Sequence, residues 1–183
     1  MGTMARNLLI VEGPGDRHFV NHLLMSRGFT AAAGANAKNF LVNKPSRPGA
    51  AAIKIIVAGS FNSLGKAIED EFRPDETTGL AIVADMDLLA DNRWESLRGT
   101  LEKFGFDSLP GVPSKDGLVA RQEQNPALGV WMMPNNESAG MLASFACKLV
   151  AGEDPAWVHA RKTVATLPEE AGRFSRERHL EKA

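Results

Sequence analysis

Four carboxylates in this chain are spaced for shared work. Glu12 ends an apolar run, "LLIV", and Asp16 follows after "GPG". Asp85 and Asp87 end a second run, "LAIVADMD". Alternate residues of an extended chain point the same way, so Asp85 and Asp87 can face one ion. Glycines 13 and 15 permit a tight turn, which lets Asp16 approach Glu12 while capping a helix. Carboxylates crowded on one edge repel and raise each other's pKa unless a cation intervenes. Hard divalent cations such as Mg²⁺ prefer such all-oxygen surroundings. A lone D-x-D is common on loops, and Asp16 alone could be only a cap. Two acid clusters, each at the end of a buried strand, favour a metal site.

Those acids need a frame. Residues 7–12, 53–58, 79–85 and 128–133 are continuous apolar runs without polar alternation. Such runs suit strands covered on both faces, as in a parallel sheet. The intervals carry helical spacing over residues 16–27, 60–72, 92–104 and 138–150, and a further helix is expected over 155–166. Strand–helix alternation predicts an α/β fold, a mostly parallel sheet of about four strands with helices on both faces. Residues 30–52 are less regular, and "NKPSRPGAAA" reads as a loop. A short hairpin is expected where "GLVARQEQNPALGVWMM" breaks at Asn125-Pro126. Ligands of open parallel sheets bind beyond the carboxyl ends of the strands. The fourth strand exits at "PNNE", which adds Asn136 and Glu137 as secondary candidates. Lys66, in "GSFNSLGKA" after the second strand, is a third.

Composition bounds the partners. The chain has 183 residues, enough for one domain with a full core. Its net charge of −1 supplies no global attraction to nucleic acid or to an anionic membrane. No apolar run approaches a membrane span, and "MGTMARN" lacks the apolar core expected of a signal peptide. The single cysteine, Cys147, lies in an apolar helical pattern and is expected as a buried structural thiol. These features predict a cytoplasmic protein.

At these residues the sequence resembles the Toprim family, the metal-binding phosphoryl-transfer module of topoisomerases, bacterial primases and OLD-type nucleases. "LLIVEGPGD" matches its first motif and "LAIVADMD" its second. "VEGPGD" is closest to OLD-type nucleases and to small bacterial stand-alone Toprim-like proteins of unassigned function. "GVWMMPNNESAGMLASF" is similar to a segment of the latter. The resemblance implies one Rossmann-like Toprim domain over 1–183, with its core in 7–150 and a helical extension in 151–183. Such relatives run on past the point where "HLEKA" stands, which leaves that extension open to truncation. It also implies that Asp85 and Asp87 hold Mg²⁺ or Mn²⁺ with Asp16 as a further ligand. Glu12 would be a ligand or a general base, according to whether one or two ions bind.

Topoisomerases of this family need a tyrosine nucleophile, and the chain has no tyrosine. Primase activity needs further modules. The activity the resemblance leaves is nuclease-like hydrolysis of nucleic-acid phosphodiesters. The alternative is a non-catalytic module that binds nucleic acid or a partner. Asn135 and Ala143 stand where the stand-alone relatives carry acids, which favours the alternative. Lysine or arginine salt bridges to the core acids would argue the same way.

Other features carry less. "GSFNSLGKA" has the wrong glycine spacing for a P-loop and lacks Ser or Thr after Lys66. His18 and His22 share a helix face but have no evident third ligand, so a solvated face is expected. Trp131 falls within a strand and is expected in the core. Arg173, Arg176, Arg178 and Lys182 alternate with glutamates, as on an ordinary solvated helix.

Overall fold

The computed structural model describes residues 6–31, 39–43, 52–87, 90–121 and 125–166. Seven strands form one sheet: β1 (Arg6–Val11), β2 (Thr30–Ala31), β3 (Asn39–Asn43), β4 (Ile53–Val57), β5 (Thr77–Asp85), β6 (Leu118–Ala120) and β7 (Ala127–Met133). Their order is β2-β3-β4-β1-β5-β7-β6. The central four, β4-β1-β5-β7, are parallel and coincide with the four apolar runs. The three outer strands are antiparallel to their neighbours. The α/β class and the helix-covered parallel core are as expected, with three more strands than the four predicted.

Both faces of β1 are buried, which is why its sequence lacks alternation. Leu8 and Ile10 point into a core shared with Ile82, Leu128 and Met132. Helix α2 (Leu64–Glu71) supplies Leu64 and Ile68 to that core, and α3 (Ala90–Glu102) supplies Trp94, Leu97 and Leu101. Leu9 and Val11 point to the opposite face, against Val20 and partly buried Phe19 and Leu24 of α1 (Pro14–Ser26). Phe145 of α4 (Leu142–Leu149) meets Phe19 edge-on at 5.5 Å and Trp131 of β7 at 6.5 Å. Cys147, on α4, is half-buried rather than buried. Asp154 caps α5 (Pro155–Ala165) by accepting from Ala156 N and Trp157 N. No helix among the described residues is long and apolar enough to cross a membrane.

The departures have local causes. Strands β2 and β3 occupy part of the segment read as irregular. The two-residue β2 and the five-residue β3 carry little periodic signal, and β3 is held by its antiparallel register with β4. The hairpin at Asn125-Pro126 exists, joining β6 to β7. The second helix opens with a 3₁₀ turn, Phe61–Ser63. The fourth starts at Leu142, four residues later than its pattern suggests. Gly140, at φ 142°, pairs instead with the backbone of Asp87. A Cβ at Gly140 would fall 2.8 Å from Ser144 Oγ, so the sequence has glycine there. The C-terminal arginines, Arg173, Arg176 and Arg178, and Lys182 lie outside the described residues.

Candidate functional site

Register alone brings the two acidic motifs together. Val11 of β1 is level with Val83 of β5, so the chain leaves both strands at one edge. Glu12 N–H donates to Val83 O at 3.2 Å, and Glu12 Oε2 accepts from Asp85 N at 3.2 Å. The turn "EGPGD" then starts α1, with Gly13 as its N-cap. Asp16 is not the cap itself. It sits at the third helical position and reaches back, its Oδ2 accepting from Gly13 N at 2.7 Å. An acid there also favours the positive end of the helix.

Asp85 ends β5, and its Oδ1 accepts from Leu142 N at 3.0 Å. That donor is the first residue of α4, so the fourth-strand segment reaches the site through backbone. Met86 is buried between the two aspartates. Asp87 has φ 49°, a left-handed geometry that aspartate tolerates better than most residues. Both its N–H and its carbonyl bond to Gly140, at 2.8 and 2.9 Å.

The charges do not balance. Burial raises the pKa of Asp16, and Glu12 raises it further. Asp85 is pushed to about 7, first by burial and then by the charges of Asp16 and Glu12. The one basic side chain bonded to the cluster among the described residues is Arg93, on the first turn of α3. Its Nη1 donates to Glu12 Oε2 and to Asp85 O, each at 3.1 Å. Its Nη2 donates to Asp87 Oδ2. The guanidinium also lies over the Phe61 ring, 4.5 Å from its centroid. Asp16 and Asp85 have no such partner among the described residues.

The donor set fits a hard divalent cation in kind and in charge. Among the described residues, Glu12 Oε1, Asp85 Oδ2 and Asp87 Oδ1 accept no hydrogen bond. One guanidinium is bonded to two of the four carboxylates, and a partly buried excess of negative charge is costly. The cluster is nevertheless not closed. No three His, Cys, Asp or Glu side chains among the described residues are gathered tightly enough to hold an ion as they stand.

The secondary candidates fall elsewhere. Asn136 is fully buried and structural: its Oδ1 accepts from Met132 N at 2.7 Å, and its Nδ2 donates to Lys115 O at 3.4 Å. Glu137 is exposed in the same turn. Lys66 is exposed on α2 and pairs with Asp70 and Glu69. His18 and His22 are exposed on α1, and Trp131 is half-buried against α4. Arg93 is the site residue that sequence reasoning missed. The available signal was a basic residue six positions after Asp87, on the first turn of the next helix.

Comparison with known proteins is sparse. No curated protein and no solved structure matches this chain. One family model matches residues 6–183, which is nearly the whole chain, and it is described as a protein of unknown function, DUF3226. The matched span takes in Glu12, Asp85, Asp87 and Arg93 alike, and on that extent of match the chain belongs to the DUF3226 family.

Proposed function

We propose that the carboxyl edge of the sheet is a Mg²⁺ or Mn²⁺ site serving nuclease-like phosphoryl transfer on nucleic-acid phosphodiesters. The observation that carries this reading is the charge imbalance. Asp16 and Asp85, half of the acid cluster, have no basic partner among the described residues, and three acids keep a free oxygen. The resemblance of "LLIVEGPGD" and "LAIVADMD" to Toprim motifs points the same way. Glu12, Asp16, Asp85 and Asp87 would hold the ion. A bound ion would supply the positive field that a near-neutral chain lacks, and would polarise the phosphodiester. Glu12 is either a further ligand or the base that takes a proton from water. The N–H of Leu142 fixes the Asp85 carboxylate, and the Asp87–Gly140 bridge fixes the second aspartate. A cytoplasmic location accords with this chemistry.

A second reading has its own observation. Arg93 already pairs with Glu12 and Asp87, as in a module that binds nucleic acid or a partner without catalysis. Calorimetric titration with Mg²⁺ and Mn²⁺, beside cleavage assays on DNA and RNA oligonucleotides, separates the two. The first reading expects ion binding and cleavage in the natural chain and neither in Asp85→Asn/Asp87→Asn. Absence of ion binding in the natural chain removes the first reading. Ion binding without cleavage of any oligonucleotide favours the second.

A further inference from the structure

We propose that Arg93 is a built-in competitor for the cation: its guanidinium holds Glu12 and Asp87 when the ion is absent and must leave them for the ion to bind. This rests on the cation-site reading above.

The geometry is that of an occupied site. Nη1 reaches Glu12 Oε2 and Asp85 O at 3.1 Å, and Nη2 reaches Asp87. One planar group thus spans the exits of β1 and β5, where the ion would sit. Glu12 Oε1 and Asp87 Oδ1 are free, but a divalent cation on them would stand beside the guanidinium on the same two carboxylates, and like charges that close repel strongly in a half-buried setting.

The fold lets Arg93 move without unfolding anything. Helix α3 is anchored by Trp94, Leu97 and Leu101, which are 3, 2 and 0% exposed. Arg93 itself stays 20% exposed on a long side chain, so it can swing outward by rotamer change while its backbone stays put. The Phe61 face holds it in the inward position through a cation–π contact that needs no acid. Without an ion the protein therefore keeps two of its four acids paired with a cation. It binds the ion more weakly than the same acids would alone.

The test is calorimetry of Mg²⁺ binding to the natural chain, Arg93→Gln and Arg93→Lys. Arg93→Gln should bind about 10-fold more tightly or better, with Arg93→Lys between. Its melting temperature should be lower without ion and should rise further on adding it. Arginine side-chain ¹⁵N NMR on the natural chain gives a reading that does not need the variant to fold. Arg93 Nη signals should be separately resolved without ion and should merge as Mg²⁺ is added and the guanidinium is freed. Unchanged or weaker binding in Arg93→Gln, or Nη signals indifferent to bound Mg²⁺, overturns the proposal and leaves the cation site standing. No Mg²⁺ binding to either chain overturns both.

Discussion

Two groups of ion pairs on this fold use the same chemistry in different settings. Lys66, Glu69 and Asp70 lie on one turn of α2, and their side chains are 66, 66 and 56% exposed. Arg93 gathers Glu12 and Asp87 from the exits of two neighbouring strands, and is 20% exposed. On the helix, water and salt screen every charge, so such pairs stabilise little. At the sheet edge, partial burial makes an unbalanced charge expensive, and burial together with the neighbouring acids pushes Asp85 to about 7. The first group follows from helical spacing and describes a surface. The second is assembled by strand register, and its imbalance is what a ligand could relieve.

The sharpest way to break this contrast is to remove the acids. Asp85→Asn or Asp87→Asn should weaken Mn²⁺ binding by about 10-fold to 100-fold in calorimetry. Unchanged affinity would make the edge no more a cation site than α2 is. Next in size is the loss of Arg93, the one cation bonded to the acids among the described residues. Arg93→Met without ion should cost about 1–3 kcal/mol, because it leaves partly buried carboxylates unpaired. Chemical denaturation measures this directly.

The pH response follows in size. Asp85 titrates at about 7 in the folded chain against an ordinary 3.8. The folded state thus holds this proton more tightly than the unfolded state. Its contribution to stability is present below about pH 4 and is lost as pH rises through about 7. Without ion, the melting temperature of the natural chain should fall between pH 5 and pH 8 relative to that of Asp85→Asn. Parallel curves would contradict the imbalance. The smallest effect belongs to the other region: Lys66→Ala should leave both the melting temperature and Mg²⁺ affinity within error.

Legibility in the sequence tracked physical range. The four central strands were readable because burial on both faces demands unbroken apolar runs such as "LLIV" and "LAIVA". The stop of α1 was readable from Gly28, which takes φ 85°. Strands β2 and β3 were not readable, since short edge strands depend on a partner rather than on their own pattern. The late start of α4 was equally hidden, because its cause is a bridge from Gly140 to Asp87, far away in sequence.

By itself, then, the sequence determined the α/β class and the placing of Glu12, Asp85 and Asp87 at strand ends. Those are consequences of local hydrophobic periodicity and of the rule that loops follow strands. Tertiary structure alone decided that β1 and β5 are neighbours in register, so that the two acidic motifs share an edge. It also removed Lys66 and Asn136 from that edge and brought in Arg93. Long side chains choose partners by distance in space, and no spacing rule along the chain encodes that distance.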